Sequence, residues 1–149
     1  CPFMTATEEL KSQIEETNDR IFNQGELDYI DEAYTEDMVM HNVAQSEDYE
    51  GREAFKEWAK GFREAYPDFE AEILDTIVEG DTVVTRYRAR GTHEGPIPPF
   101  NVEPTHKEIE FEGVTIHKMD GTKATEAWWF YDQLTTLTQL GLVPEAPPM

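Results

Sequence analysis

Strict alternation of side chains in residues 82–93 and 106–118 constrains the fold more than any other sequence feature. In the first segment, one face carries Val83, Thr85, Tyr87, Ala89, Gly91 and His93, and the other carries Val84, Arg86, Arg88 and Arg90. In the second, Ile109, Phe111, Thr115 and His117 share one face, and Glu108, Glu110 and Glu112 share the other. Because successive side chains of a strand point to opposite faces, both segments are predicted to be β-strands with one polar face.

The polar faces of these two strands are expected to lie opposite each other. Arginines at period two facing glutamates at period two contribute roughly 0.2–1 kcal/mol per pair. Two alternatives remain open: the charges only solvate an outer face, or that outer face is a self-complementary dimer surface. In each case the opposite face looks inward, with Tyr87, His93, Ile109, Phe111 and Thr115. His117 shares that inward face, but its position beside a turn predicts that it is exposed.

Helical signals come before the strands. Thr5 and Glu8 form a capping-box pattern ahead of an apolar stripe, and residues 52–66 carry a second, stronger stripe. A short helix is predicted near Asp28, residues 35–42 are predicted to be a loop, and residues 47–51 an exposed polar segment. A strand is predicted over 69–78, and residues 124–143 read as an aromatic strand leading into a short C-terminal helix. The predicted class is α+β, with N-terminal helices packed in a curved antiparallel sheet.

Several short motifs, in this order, resemble one family. They are His41-Asn42, Tyr66-Pro67-Asp68-Phe69, Gly91-Thr92-His93-Glu94-Gly95 and Gln139-Leu140-Gly141. The chain resembles the SnoaL-like polyketide cyclase and ester cyclase family, within the nuclear transport factor 2-like superfamily. The resemblance implies a cone-shaped α+β barrel with an apolar cavity between sheet and helices. It covers 1–149 as a single domain, with residues 1–4 as an appended or displaced start and 144–149 as a loose tail.

The resemblance also locates the reactive positions. The family's cyclases carry a general acid/base aspartate on the last strand, and gapless counting from Gln139-Leu140-Gly141 places that position at Trp129. A family histidine on the neighbouring strand falls at Thr115. An indole cannot exchange protons with carbon or oxygen near neutral pH, so the cyclase chemistry departs from the family pattern here. Asp132 reads as a structural residue at the start of the terminal helix.

Two histidines are candidates to replace the missing aspartate. The resemblance places His93 at the mouth of the cavity and lets His41 converge on it from the opposite side. The alternatives are a His93 ring that bonds a loop carbonyl and a His41 that packs within a loop. A group of mostly aromatic residues is predicted to line the cavity, or else to be ordinary core: Tyr34, Trp58, Tyr87, Phe111, Thr115, Trp129 and Tyr131. No metal site is expected, because the four histidines fall on separate elements. The resemblance also implies that no cofactor is used.

Three hypotheses for function follow. The first is a cofactor-free enzyme acting on a small, mostly apolar carbonyl compound. The second is a non-catalytic module that binds such a ligand. The third is a dimeric interaction protein whose cavity is filled by Trp129 and its neighbours, with a homodimer formed through the outer face of the sheet.

The amino-acid composition limits the classes of partner that the protein can bind. The net charge of −20 argues against nucleic acid and anionic membrane. A high-salt cytoplasm, a basic partner or partial disorder would each fit such a charge. The acids are interspersed with apolar periodicity, which disfavours disorder, and we favour the high-salt cytoplasm. Cys1 has no second cysteine with which to form an internal disulfide.

Overall fold

The computed structural model describes residues 5–97 and 102–143. Within them lie four α-helices: α1 (Ala6–Thr17), α2 (Ile30–Ala33), α3 (Arg52–Ala65) and α4 (Gln133–Gln139). The strands are β1 (Tyr34–Asn42), β2 (Glu47–Glu50), β3 (Glu70–Glu79), β4 (Thr82–Thr92), β5 (Glu108–Asp120) and β6 (Lys123–Tyr131). A π-helical turn (Asn18–Asn23) follows α1, and short 3-10 turns span Leu27–Tyr29 and Val43–Gln45. The expectations for residues 1–4 and 144–149 fall outside the described residues.

The capping box predicted for the first helix is present. The Glu8 backbone N–H donates to Thr5 Oγ1 at 3.1 Å, and the Thr5 N–H donates to Glu8 Oε2 at 3.3 Å. These two bonds satisfy donors that the first turn of α1 leaves without helical partners. The stripe predicted for the third helix is also present, with Phe55 and Ala59 buried on α3.

All six strands form one sheet in the order β2-β1-β6-β5-β4-β3. Its neighbours run antiparallel except β1 and β6, which are parallel. The sheet is curved and does not close on itself, and the predicted α+β class is confirmed. The prediction of a loop at 35–42 was wrong, since these residues belong to β1. Its inward residues Met38, Met40 and Asn42 are fully buried, and its backbone pairs with β6 and β2.

The pairing of β4 with β5 matches the charge pattern of the sequence. Arg88 lies opposite Glu112, and Arg90 lies opposite Glu110. Diagonal ion pairs join Arg86 to Glu112 at 2.9 Å and Arg88 to Glu110 at 3.9 Å. Because these side chains are exposed, each pair adds little stability, and their main effect is to fix which face of the sheet meets water.

The opposite face of the sheet packs against α1, α3 and α4, and one glycine on it makes room for a neighbouring ring. Gly113 faces inward on β5, and a Cβ there would lie 2.5 Å from the Tyr87 hydroxyl and 2.9 Å from the Phe130 carbonyl oxygen. The missing side chain lets the Tyr87 ring lie across β5 toward Phe111, whose ring centroid is 6.3 Å away.

The surplus of acidic side chains on this surface predicts a stability that depends on salt. With a net charge of −20, we expect the melting temperature to fall as KCl is removed. The reason is that the screening length grows from about 10 Å at 0.1 M to about 30 Å at 0.01 M. Thermal unfolding followed by circular dichroism across that range tests this. A double substitution of two exposed acids, Glu57→Gln with Glu72→Gln, should weaken the dependence, and a melting temperature that stays flat or rises would contradict the prediction.

Candidate functional site

A cavity of about 120 Å³ lies between the inner face of β3 to β6 and the helices α1, α3 and α4. All seven residues that the sequence suggested for ligand binding contribute to its wall: Tyr34, Trp58, Tyr87, Phe111, Thr115, Trp129 and Tyr131. Apolar side chains from the helices complete the wall, including Ile14, Phe22, Phe62 and Leu140. The structure therefore brings the predicted aromatic group together around one space.

Trp129, at the position expected for the cyclase aspartate, forms one side of this cavity. Its ring lies 4.6 Å from that of Trp58, 5.7 Å from Phe55 and 6.1 Å from Phe22, measured between centroids. The indole is 6% exposed and packs mainly on these aromatic rings. It narrows the cavity without filling it.

At one end of the cavity lies His117, whose position beside a turn predicted exposure. That expectation was wrong: His117 is only 6% exposed. Val83 of β4 and Ala127 of β6 flank it in the sheet, and Tyr34 of β1 covers it. The alternation of β5 continues to Asp120, so the inward face extends beyond His117 and proximity to the turn does not expose it. The alternation pattern was the signal that located this residue correctly.

The surroundings of His117 determine its protonation state. The Tyr34 hydroxyl lies 3.2 Å from His117 Nε2. Burial lowers the pKa of His117 to about 4, because the apolar interior disfavours the imidazolium. Burial also raises the pKa of Tyr34 above its usual value, so the phenol keeps its proton. The pair is therefore neutral at physiological pH.

The other end of the cavity, beside α4, carries amide and phenol groups. Gln45, Tyr131 and Gln133 line it, and the fully buried Asn42 lies behind it. Burial raises the pKa of Tyr131 to about 12. Sequence reasoning missed Gln45 and Gln133, which come from a short turn and from the start of a helix and so follow no strand pattern.

The structure does not bring His93 to the cavity wall. It is fully buried beneath Tyr66, with ring centroids 5.8 Å apart. Its Nδ1 accepts from the Thr105 backbone N–H at 3.0 Å and lies 2.9 Å from Thr105 Oγ1. Burial is the main cause that lowers the pKa of His93. This arrangement ties the loop after β4 to the residues before β5.

His41 also lies away from the cavity, on the outer face of the sheet. Its neighbours Met40 and Asn42 face inward, so alternation turns the imidazole outward. Nε2 lies 2.6 Å from Glu126 Oε2, Nδ1 lies 2.7 Å from Asp48 Oδ1, and the ring stacks on Trp128. Hydrogen bonding to Glu126 is the largest cause that raises the pKa of His41. This histidine links β2, β1 and β6 across the sheet surface.

Asp132 has the structural role expected from the sequence. Its Oδ1 accepts from the Thr135 backbone N–H at 3.1 Å, and its Oδ2 accepts from the Thr135 hydroxyl at 2.6 Å. These bonds cap α4 and lower the pKa of the carboxyl. Among the described residues, the cavity wall contains no Asp, Glu, Lys or Arg, and His117 is its only histidine.

In 5–97 and 102–143, no group of three or more His, Cys, Asp or Glu side chains is arranged to hold a metal ion. Within the same part of the chain, no helix combines the length and apolar character needed to cross a bilayer. The expectation that the protein uses no metal or cofactor stays a prediction.

Comparison with known proteins decides the family. Residues 12–140 match the sequence model of the protein family described as SnoaL-like polyketide cyclase. The chain belongs to the SnoaL-like polyketide cyclase family. No curated protein matches it.

Solved structures with the same nuclear transport factor 2-like fold include two from Streptomyces. AclR of Streptomyces galilaeus, a candidate hydroxylase, has a TM-score of 0.81 at 22% identity, covering 95% of this chain and 91% of that chain. IdmH of Streptomyces antibioticus, a candidate polyketide cyclase, has a TM-score of 0.73 at 28% identity, covering 88% of this chain and 97% of that chain.

The buried position of His117 predicts how it changes stability with pH. Its pKa of about 4 in the folded protein lies below the value of about 6.5 in an unfolded chain. The free energy of unfolding is therefore highest above pH 6.5. As pH falls from 6.5 to 4 it decreases by about 3 kcal/mol through His117 alone, because the unfolded chain binds a proton that the folded protein does not. We expect the free energy of unfolding of the wild type, relative to His117→Gln, to fall by this amount between pH 8 and pH 4.

The matched control is His41→Gln, because the contribution of His41 to stability changes with pH in the opposite direction. Because the folded pKa of His41 is raised, its contribution is present at low pH and is lost as pH rises through the folded pKa. Urea unfolding of the three proteins at several pH values measures both effects. A pH-independent difference between wild type and His117→Gln would show that His117 is solvated.

Proposed function

We propose that this SnoaL-like protein binds or converts a small, mostly apolar carbonyl compound in its aromatic cavity, without a cofactor. The observation that carries this proposal is the partly open cavity of about 120 Å³ between sheet and helices. Its wall is mainly aromatic and aliphatic, with a smaller number of hydroxyl, amide and imidazole groups. Sites for small organic ligands have this composition, in which apolar walls give affinity and a few polar groups give orientation.

The size of the cavity limits the ligand. An apolar cavity of about 150 Å³ is known to take up benzene. A space of about 120 Å³ that is partly open to solvent excludes a polycyclic compound and favours one ring, whose skeleton extends toward the opening. In this proposal the rings of Trp58, Tyr87, Phe111 and Trp129 contact the ligand skeleton.

The catalytic roles predicted for His93 and His41 stay untested, and their surroundings favour structural roles. His93 is held by Thr105, and His41 is held between Asp48 and Glu126. The absence of carboxylates from the described wall supports the alternative, a non-catalytic binding module of the same fold. Both readings need the same cavity, and they differ in whether the bound carbonyl compound is turned over.

Acetophenone, with one ring and one carbonyl, tests binding and turnover together. We expect it to quench the fluorescence of Trp58 and Trp129 in a saturable manner. An enzyme of this type should also accelerate exchange of the methyl protons of acetophenone with D₂O, which proton NMR follows. Saturable binding without accelerated exchange would favour the non-catalytic module.

A pair of variants on one strand provides the control. Thr115→Ile adds bulk inside the cavity and should weaken acetophenone binding about tenfold, because the ligand would have to displace the added methyl group. Val114→Ile adds comparable bulk on the opposite face of β5 and should bind as the wild type does. Equal binding by the two variants would place the ligand elsewhere.

The surroundings and assembly of the protein are part of the same proposal. We propose a cytoplasm of high salt, supported by the net charge of −20, and a homodimer formed through the outer face of the sheet. On that face Phe130 is 43% exposed and Ile77 is 64% exposed, beside alternating arginines and glutamates. A two-fold axis over such a surface would pair opposite charges and cover both apolar side chains.

The dimer proposal predicts a change in mass on substitution. Phe130→Glu should shift the protein from dimer to monomer in analytical ultracentrifugation, because a carboxylate would be buried in the interface without a partner. Leu134→Glu, on α4 and away from the sheet face, should leave the mass unchanged. A wild type that sediments as a monomer at high concentration would overturn the proposal.

A further inference from the structure

We propose that His117, supported by Tyr34, is the hydrogen-bond donor that binds the carbonyl oxygen of the ligand through its Nδ1–H. This inference rests on the proposed function and specifies the chemistry of its site. It assigns recognition of the carbonyl oxygen to His117. This residue lies two positions after Thr115, the position at which the resemblance places the family's histidine. Its basis is the geometry of a neutral, buried pair at one end of an apolar cavity.

The hydrogen bond between Tyr34 and His117 selects one tautomer. Among the described residues, the only polar side-chain partner of the Tyr34 hydroxyl is His117 Nε2, at 3.2 Å. If the hydroxyl donates, Nε2 is the acceptor and Nδ1 carries the proton. If Nε2–H donated instead, both the phenol proton and the Nδ1 lone pair would lack partners. The first arrangement leaves one unsatisfied group and the second leaves two, so the first is favoured.

The remaining group, Nδ1–H, has no hydrogen-bond partner among the described residues. Its flanking neighbours on the adjacent strands, Val83 and Ala127, are apolar. The Thr85 hydroxyl, the next polar group along β4, is directed at the Thr115 carbonyl at 3.5 Å. A buried donor without an acceptor is costly, and an acceptor supplied by the ligand would remove that cost.

Each element packed around His117 is uncharged at that point. β1 contributes Tyr34, β4 contributes Val83, β6 contributes Ala127, and α3 contributes Phe55, whose ring lies 5.0 Å from that of Tyr34. A neutral donor in such surroundings suits a ketone or aldehyde oxygen. It disfavours a carboxylate, which would need a positive partner to offset its lost hydration. The ligand class is therefore a neutral, single-ring carbonyl compound held with its oxygen toward His117.

The test compares acetophenone with ethylbenzene, which has the same carbon skeleton without the oxygen. The measured quantity is the ratio of the two dissociation constants, by tryptophan fluorescence, for the wild type and for His117→Phe, His117→Gln and Tyr34→Phe. We expect His117→Phe to reduce the preference for acetophenone about tenfold, the usual effect of one lost hydrogen bond. His117→Gln retains an N–H donor and should recover part of the preference for acetophenone. Tyr34→Phe should reduce the preference, because the imidazole would lose the hydrogen bond that orients it.

The outcomes separate this inference from the proposed function. If neither compound binds the wild type, the proposed function fails. If both bind and the ratio is the same in wild type and His117→Phe, the proposed function stands and the role of His117 is overturned.

A measurement on the wild type keeps the inference testable if a variant does not fold. In nitrogen-15 NMR, His117 should show a protonated Nδ1 and an unprotonated Nε2, and acetophenone should shift the Nδ1 signal while ethylbenzene should not. A protonated Nε2, or equal shifts with both compounds, would overturn it.

Discussion

The pairing of β4 with β5 is the constraint on which the rest of the structure depends. These are the two longest strands, and their register sets Arg88 opposite Glu112 and Arg90 opposite Glu110. A slip of one residue would turn every side chain to the other face and bury these charges against the helices. The register thereby fixes which face of the sheet is exposed to solvent and which face lines the cavity. It also places Gly113 beneath the Tyr87 ring. The position of the cavity follows from this single pairing.

The sequence predicted the α+β class, the charged outer face and all seven residues of the aromatic wall, because each depends on period-two alternation or a helical stripe. Its errors arose where local composition competed with tertiary pairing. Residues 35–42 were predicted to be a loop because the segment begins with three polar residues. The alternation of buried side chains starts only after them, at Met38, Met40 and Asn42. His117 looked exposed because a turn is near, although the distant Tyr34 covers it, and sequence spacing holds no signal for that contact.

Family resemblance located the fold correctly but could not locate the chemistry. It directed attention to His93 and His41, which lie beneath Tyr66 and on the outer sheet face respectively. Function depends on the side chains that reach the cavity, and related chains can change these while keeping the fold. At Trp129 an indole packed on Trp58 stands where the family's cyclases are expected to have a carboxylate. The described wall thus offers hydrogen bonding and apolar contact in place of a strong base.

The contrast between His41 and His117 connects the charge of the protein with the kind of ligand it would take. His41 lies between two carboxylates on a surface with a large negative excess, which favours its protonated form. His117 lies in an apolar interior that excludes charge, which favours its neutral form. An anionic ligand would meet repulsion from a net charge of −20 on approach, and in the cavity it would find no Lys or Arg among the described wall residues. Long-range and short-range electrostatics therefore both disfavour an anionic ligand, which supports the proposal that the ligand is a neutral carbonyl compound.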